Sequence, residues 1–273
     1  MKGVILAAGY ATRFLPASKT IPKEMFPLID RPVIDFIVQE MVDSGIQEIL
    51  LISSRRKKAM EDYFDREVEL STSLEKAKKL EKLRIIEPID ASIFTLRQQF
   101  MMGTGNALML AEPFVKDEPF IVAYPDDVVI AQENPLSQQL IETYQKTGKT
   151  TLAVQELHDQ DVSRYGVIDE GQKDGNVVEV RKMVEKPEVG TEPSKVVSYG
   201  RYLYAPEIFE ALHKSAEKYD DHGEFTQTEA INWLAQEGKV NALKFEGERY
   251  VVGEPLGYVQ TSVLLAMKRE KFK

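Results

Sequence analysis

Short apolar runs alternate with helix-length amphipathic segments along the first half of the chain. KGVILAAG (residues 2–9) and EILLIS (residues 48–53) are continuously apolar over most of their length, as expected of strands buried on both faces. RPVIDFIVQEMVDSG (residues 31–45) lies between them with its apolar residues at helical spacing, and Gly45 suits the C-terminal cap. This order predicts a parallel sheet with helices on both faces.

The pattern changes after residue 150. The segment YGVIDEGQKDGNVVEVRKMVEKP alternates polar and apolar residues around a turn near Gly171 to Gly175, which is typical of antiparallel strands. Thr226 and Glu229 have the spacing of a capping box before a further helix. No repeat or linker interrupts the chain, so we predict one α/β domain over residues 1–273.

Composition excludes several classes of protein. The 273 residues are 43% apolar, enough for a large core, and a formal net charge of -9 argues against non-specific nucleic-acid binding. The chain has no cysteine, and its histidines (His158, His213 and His222) are too scattered to suggest a metal cluster. We find no signal peptide and no apolar run of 18 residues, so we expect no membrane contact and a cytoplasmic location.

The loop after the first strand combines small residues with cations. Ala7, Ala8 and Gly9 lack bulk, so a flat base or a phosphate has room to approach their backbone. Arg13 offers a bidentate fork and Lys23 a mobile point charge for a polyphosphate. The known phosphate-loop patterns GxGxxG and GxxxxGK[ST] are absent, and a solvated loop is the alternative. Ligands of open α/β sheets gather at such strand ends, which favours binding.

The segment PFIVAYPDD reads as a buried strand that ends in two aspartates, in YPDD at residues 124–127. Carboxylates at this position are natural ligands for Mg²⁺, which takes one or two protein oxygens together with water and substrate phosphates. A turn or a helix cap is the alternative, because aspartate favours both. The motif makes Asp126 and Asp127 candidate metal ligands.

Two further motifs offer polar groups to a ligand. In RQQFMMGTGNA, Gln98 has a donor and an acceptor for the edge of a base, although the glycines there also suit a loop with special backbone angles. In MVEKP, Glu185 is placed to accept sugar hydroxyls and Lys186 to meet a phosphate. Pro187 ends the strand, which allows both side chains to reach one site; an exposed ion pair is the alternative.

Together these motifs resemble one enzyme family, the bacterial UTP–glucose-1-phosphate uridylyltransferases, within the sugar-phosphate nucleotidyltransferases. The resemblance covers essentially the whole chain. The segments that carry it are AAGYATRFLPASKTIPKEMFPLIDRPVIDFIVQE, MEDYFD, the PDD motif, VSRYGVI, MVEKP, GRYLYAPEIFE and GYVQTSVLLAM.

The resemblance implies a fold and a reaction. The fold is a three-layer αβα sandwich around a mixed, mostly parallel sheet, a Rossmann-like nucleotidyltransferase fold. Its nucleotide-binding part spans about residues 1–130 and its sugar-phosphate part about residues 131–273. The reaction joins UTP and glucose 1-phosphate with Mg²⁺, giving UDP-glucose and pyrophosphate by in-line attack on the α-phosphorus. Members of the family commonly form homodimers or homotetramers.

The resemblance also implies roles for individual residues. Arg13 and Lys23 would hold the triphosphate, Asp126 would ligate Mg²⁺, and Lys186 would orient the phosphate of glucose 1-phosphate. The residues implied to lie against or near the uracil base are Ala7, Ala8, Gly9, Glu24, Gln98 and Gly103. The residues implied to hold or admit the glucose are Gly166, Glu185 and Gly200.

The chain departs from the family pattern at several positions. Ala11 replaces a glycine of the first loop, and Phe225 and Thr226 replace isoleucine and glutamine. Val251 stands where the family has an aspartate that is a second metal ligand, so water or Glu254 would have to substitute. Val251 therefore favours an alternative, a regulatory paralogue with weak or no activity. Another alternative is an enzyme of the same fold that uses a different nucleotide or sugar, such as a thymidylyltransferase.

Overall fold

A computed structural model describes residues 1–158, 161–220 and 223–269. Its strands are β1 (Lys2–Leu6), β2 (Pro27–Leu28), β3 (Arg31–Pro32), β4 (Glu48–Ser53), β5 (Ser92–Arg97), β6 (Phe120–Ala123), β7 (Asp127–Ile130), β8 (Thr150–Glu156), β9 (Gly166–Asp174), β10 (Val177–Glu185), β11 (Val196–Tyr204), β12 (Val240–Lys244) and β13 (Glu248–Val251). Its α-helices are α1 (Val33–Asp43), α2 (Lys58–Phe64), α3 (Val68–Lys76), α4 (Leu80–Ile85), α5 (Thr104–Met109), α6 (Glu112–Val115), α7 (Leu136–Thr147), α8 (Ile208–Glu217), α9 (Thr228–Gln236) and α10 (Pro255–Lys268). Short 3₁₀ helices shape the first loop: Thr12–Phe14, Ala17–Lys19 and Lys23–Met25.

The central sheet has nine strands in the order β5-β4-β1-β6-β11-β8-β12-β10-β9. The first four are parallel, as the alternation of strands and helices predicts. Strands β10 and β11 run against the others. The sheet is therefore mixed with most strands in one direction, and it joins both halves of the chain.

The core consists of two apolar layers, one on each face of the sheet. Neighbouring residues of β1 show the alternation: Val4 belongs to one layer and Ile5 to the other. Helices α5, α8 and α9 cover the first layer. Helices α1, α7 and α10 cover the second layer. This arrangement confirms the three-layer αβα sandwich.

The charged stretch after residue 67 forms two helices, α3 and α4, because Lys78 has a φ of 54° that no continuous α-helix accommodates. One local prediction was wrong. The YPDD motif does not end a strand, since β6 ends at Ala123 and Asp127 already belongs to β7. Asp126 therefore lies in a loop between two strands.

The predicted capping box does not form. Helix α9 begins at Thr228 with Gln227 as its N-cap residue, and no side chain caps it. The hydroxyl of Thr226 accepts a long hydrogen bond of 3.4 Å from the Thr228 N–H. The helix starts one residue later than the capping box requires. Glu229 is therefore its second residue, whereas the box needs the glutamate as the third.

Within the described residues, no helix has the length and apolar character needed to cross a bilayer.

Candidate active site

A cavity of about 320 Å³ lies beside the point where the chain leaves β6. Its size is in the lower part of the range of small-molecule sites, roughly 300–1,000 Å³. Both halves of the chain contribute to its lining. The charged residues of the lining are Arg13, Asp126, Asp127, Arg164, Glu185, Lys186, Glu224 and Glu254.

Lys23 joins this group through an ion pair with Asp126. Its Nζ lies 2.6 Å from Oδ2 of Asp126. Burial alone would lower the pKa of Lys23, but the carboxylates of Asp126 and Glu24 outweigh burial, so the pKa is raised. Burial likewise opposes ionisation of Asp126, but the Lys23 ammonium holds the pKa of this carboxyl below its usual value. Both side chains are therefore charged at neutral pH.

The Asp126 carboxylate fits against a glycine near the end of the chain. A Cβ on Gly253 would lie 2.5 Å from Oδ2 of Asp126, so this contact requires glycine. The carbonyl of Asp126 accepts a hydrogen bond of 3.1 Å from the Val252 N–H. Gly253 was not predicted as a site residue from the sequence. It lies two residues after Val251, where the chain departs from the family pattern.

Asp127 is partly buried beside Asp126 and takes the space that Gly200 leaves open. The Gly200 N–H donates to Oδ2 of Asp127 at 3.1 Å, and a Cβ on Gly200 would lie 2.2 Å from the same oxygen. Glycine at position 200 thus admits a side chain of the protein, whereas we expected it to admit the sugar. Burial, together with the charge of Asp126, raises the pKa of Asp127 to about 6.

The predicted sugar residues meet at one end of the β9–β10 hairpin. Gly166 pairs with Glu185, and both line the cavity. Lys186 follows with a φ of 45°, and its N–H donates to the carbonyl of Tyr165 at 3.0 Å. The Lys186 ammonium lies 3.7 Å from Oε1 of Glu185. The turn at the end of β10 therefore directs two consecutive side chains into one cavity.

The predicted base-binding residues lie outside the lining of this cavity, at the neighbouring strand ends. Ala7 is buried after β1, and its N–H donates to the carbonyl of Ile52 at 2.8 Å, so this amide is already used. Ala8 is also buried, whereas Gly9 is exposed. Of these three residues, Ala7 is thus the one whose backbone amide is engaged within the protein.

Gln98 and Gly103 are engaged with the protein in this structure. The Gln98 amide donates to Oδ1 of Asn106 at 2.9 Å and to the carbonyl of Gly103 at 3.3 Å. Gly103 has a φ of 108°, and a Cβ there would lie 2.4 Å from the carbonyl oxygen of Phe225. Glycine is needed at position 103 because of its positive φ and the close approach of the Phe225 backbone. The next residue, Thr104, lines the cavity.

Glu24 forms a buried ion pair that sequence reasoning missed. Its Oε1 accepts from Nζ of Lys57 at 2.7 Å, and both side chains are almost fully buried. Burial lowers the pKa of Lys57, against the raising effect of Glu24. The other oxygen of Glu24, Oε2, is buried without a hydrogen-bond partner. The run RRKK at residues 55–58 was the available signal for Lys57, but nothing in the sequence pairs it with Glu24.

The three cations of the first loop have different positions. Arg13 lines the cavity and Lys23 is paired with Asp126. Lys19 is exposed, and its carbonyl accepts a hydrogen bond of 2.7 Å from Arg56. Ala11, at the head of the loop, has φ 55° and ψ 40°, the left-handed conformation that a glycine would adopt more easily.

The donor set around Asp126 fits Mg²⁺ with a single protein carboxylate. Asp126 is ionised and lines the cavity, and Mg²⁺ in such sites takes its remaining oxygens from phosphates and water. Val251 lines the same cavity without a donor atom. Glu254 is in contact with Arg164. The described residues contain no group of three or more histidine, cysteine or carboxylate side chains placed to hold a metal.

Comparison with known proteins finds relatives over the whole length. A model of the nucleotidyl transferase family matches residues 2–265. UTP–glucose-1-phosphate uridylyltransferase 2 of Staphylococcus saprophyticus is 44% identical over 272 residues, which is 98% of this chain and 93% of the relative.

Solved structures show the same similarity. UDP-glucose pyrophosphorylase complexed with UDP-glucose superposes with a TM-score of 0.87 at 35% identity, covering 98% of this chain and 99% of the other. The UTP-bound UGPase from Acinetobacter baumannii has a TM-score of 0.89 at 32% identity, covering 99% of this chain and 95% of the other.

Proposed function

Because the chain belongs to the nucleotidyl transferase family, we propose that it makes UDP-glucose and pyrophosphate from UTP and glucose 1-phosphate. A phosphate oxygen of glucose 1-phosphate attacks the α-phosphorus of UTP in line. The bond from this phosphorus to the bridging oxygen breaks, and the electron pair leaves with pyrophosphate. The nucleophile is already anionic, so positioning and charge neutralisation matter more than proton transfer.

One observation carries this proposal: four charged residues that are distant in sequence lie at one cavity. Arg13, Asp126 and Lys186 line it, and Lys23 is paired with Asp126. Three cations around one carboxylate suit a reaction in which negative charge builds up on a leaving pyrophosphate. A relative 44% identical over the same length is a UTP–glucose-1-phosphate uridylyltransferase, which supports this choice of substrates.

The proposed roles of the charged residues follow from their positions. Arg13 and Lys23, on the first loop, hold the triphosphate and stabilise the leaving pyrophosphate. Lys186, on the turn after β10, orients the phosphate of the sugar, and its neighbour Glu185 accepts glucose hydroxyls. Asp126 contacts Lys23 and lines the same cavity as Lys186, so the substrates would meet beside it.

The remaining predicted contacts belong to this proposal as well. Gly166 lies against the glucose, and Gly200 shapes the cavity floor by admitting Asp127. The uracil-binding residues remain those at the strand ends beside the cavity. They are Ala7, Ala8, Gly9, Glu24, Gln98 and Gly103.

We propose Mg²⁺ as the cofactor, with Asp126 as its ligand from the protein. When bound, Mg²⁺ would neutralise phosphate charge and act as a Lewis acid at the reacting phosphate. Lys23 contacts Oδ2 of Asp126, so it also orients this carboxylate.

We further propose a cytoplasmic location and a homodimer or homotetramer. Helix α10 supports the assembly, because it presents a stripe of apolar side chains that are each half exposed or more. Exposed apolar stripes of this kind commonly mark protein–protein contacts. The stripe, called the α10 stripe below, consists of Leu256, Val259, Val263, Leu264 and Met267.

The test of the proposed reaction is pyrophosphate release with Mg²⁺ and matched pairs of substrates. We expect release from UTP with glucose 1-phosphate to exceed release from dTTP with glucose 1-phosphate, or from UTP with other sugar phosphates. Lys186→Ala should raise the KM for glucose 1-phosphate far more than the KM for UTP. An equal loss for both substrates would contradict the role of Lys186.

Val251 favours a second candidate, a paralogue with weak or no catalysis that regulates an active relative. Valine has no donor atom for a cation, although it lines the cavity. The same assay separates the two functions, because a regulatory protein would release little or no pyrophosphate with any pair of substrates. The four charged residues of the cavity argue for the enzyme.

A further inference from the structure

Arg164 and Glu254 form an ion pair at the cavity that the proposed mechanism does not use. Nη2 of Arg164 contacts Oε2 of Glu254, and both residues line the cavity. The Arg164 side chain is 54% exposed. Among the described residues its guanidinium forms no second ion pair, although the hydrogen bond and charge of Glu254 and, more weakly, the charge of Asp161 raise its pKa.

Each residue of the pair is next in sequence to a residue that contacts a group we assign to phosphates. Arg164 precedes Tyr165, whose carbonyl accepts the Lys186 N–H. Glu254 follows Gly253, which abuts the Asp126 carboxylate. Arg164 also lines the same cavity as Lys186 and Asp126, so a phosphate bound there is within the reach of one cavity wall that includes Arg164.

We propose that Arg164 binds the phosphate of the sugar phosphate, and that Glu254 holds its guanidinium when this substrate is absent. The inference rests on the proposed function, since it assigns a further binding residue to the same reaction. A guanidinium binds carboxylate and phosphate with the same fork geometry, so one group can replace the other. A phosphate dianion also carries more charge than a carboxylate, which favours the exchange.

The two lysines that we assign to phosphates show the same arrangement. Lys23 is paired with Asp126 and Lys186 lies near Glu185, so each has a carboxylate partner at the position where we expect phosphate. An exposed ion pair contributes little to folding stability, so stability alone gives no reason for Arg164 and Glu254 to meet at this cavity.

The chain offers a matched control for this pair. Arg97 and Glu61 also form an arginine–glutamate pair, with side-chain exposures of 53% and 26% against 54% and 30% for Arg164 and Glu254. Arg97 is not part of the cavity lining. Arg97→Ala therefore removes a similar surface arginine without changing the proposed site.

The test measures glucose 1-phosphate binding by calorimetry, in the presence of Mg²⁺ and a UTP analogue with a methylene group between the α- and β-phosphorus. The variants are Arg164→Ala, Glu254→Gln and Arg97→Ala. We expect Arg164→Ala to weaken binding of glucose 1-phosphate about tenfold, the usual scale for one charge-assisted contact. Glu254→Gln should strengthen it, because the competing carboxylate charge is gone. Arg97→Ala should match the wild type.

Steady-state kinetics give the second measurement. Arg164→Ala should raise the KM for glucose 1-phosphate and leave the KM for UTP within about twofold, because the proposed contact is with one substrate only. Far-ultraviolet circular dichroism establishes that each variant is folded, and Arg164→Lys should restore part of the affinity by keeping the charge.

Two results would overturn the inference alone. One is a wild type that binds glucose 1-phosphate while Arg164→Ala binds it equally well. The other is weaker binding in both Arg164→Ala and Glu254→Gln, which would show that the ion pair only holds the two loops together. A wild type that neither binds glucose 1-phosphate nor releases pyrophosphate would overturn the proposed function and this inference with it.

Discussion

Ala11 and Val251 show how single residues adjust this site. Ala11 begins the first loop in the left-handed conformation, so the backbone turns as it would at a glycine and still brings Arg13 to the cavity. Val251 keeps the backbone register opposite Asp127 but offers no donor atom to the cavity. The first residue affects the stability of the loop, and the second affects the affinity for metal.

Ala11→Gly should increase the free energy of unfolding by about 0.5–1 kcal/mol. Relief of the left-handed conformation outweighs the greater chain entropy of glycine in the unfolded state. Urea unfolding measures the change. Ala17→Gly, in the adjacent 3₁₀ helix, is the control and should destabilise the protein; a loss of stability in both variants would contradict the strain at Ala11.

Val251→Asp should strengthen the response of the protein to Mg²⁺. The new carboxylate would lie near Asp126 and Asp127, so repulsion should lower the midpoint of thermal unfolding without metal. Mg²⁺ should then raise this midpoint more than it does in the wild type, and half-maximal activity should need less Mg²⁺. Val251→Asn, which adds no charge, is the control. An unchanged Mg²⁺ response in Val251→Asp would show that position 251 does not face the metal.

Individual strands and helices were predicted well where their apolar residues are periodic. Strands β1 and β4 and helix α1 lie where the sequence places them, because apolar runs mark the strands and helical spacing marks the helix. The caps and loops were harder to predict. The cap of α9, the break at Lys78 and the loop position of Asp126 depend on local backbone angles that periodicity does not record.

Buried polar contacts between elements were not predictable from one sequence. Glu40 on α1 accepts two hydrogen bonds from Arg201 of β11, at 2.9 and 2.8 Å, and one of 2.5 Å from the hydroxyl of Ser137 on α7. Arg201 is fully buried in a strand that reads as apolar. The contacts join residues far apart in sequence, as do those of Lys57 with Glu24.

The charged motifs of the candidate site were predictable from the sequence. The positions of Arg164 and Gly253 at the cavity were not, because they depend on how the chain folds.

Glu40→Ala should lower the free energy of unfolding by about 3–5 kcal/mol. Its loss leaves the Arg201 charge buried without its partner, which is far more unfavourable than the loss of a surface pair. Chemical denaturation measures this change. Asp62→Ala removes the exposed partner of Lys58 at 3.9 Å and should have little effect. A comparably small effect of Glu40→Ala would show that the buried pair does not hold α1, α7 and β11 together.

For the molecule as a whole, one sheet carries both substrate-binding parts. The parallel strands β5, β4, β1 and β6 support the first loop, and the strands from β11 to β9 support the sugar side. We propose that residues 1–273 fold as a single domain, because the two apolar layers extend across both parts. Opposite sides of the cavity are thus fixed to the same sheet, which keeps the two phosphate-binding groups at a constant separation.

The α10 stripe gives a prediction for the assembly. Substituting Val259→Glu and Val263→Glu together should convert the homo-oligomer that we propose to monomers, because charges would be buried at the contact. Light scattering after size-exclusion chromatography measures the mass. Val189→Glu changes a valine that is more exposed but lies outside the stripe, and should leave the mass unchanged. An oligomer that persists in the double variant would place the contact elsewhere.

A crystal structure of the protein with UDP-glucose and Mg²⁺ bound would test the central claim most directly. The claim is that Arg13, Lys23, Asp126 and Lys186 act on the phosphates of one bound nucleotide sugar. We predict that the two phosphates of UDP-glucose lie between the Lys23–Asp126 pair and Lys186, with the glucose against Glu185. UDP-glucose bound away from this cavity, or bound there without contacting these charged groups, would contradict the account.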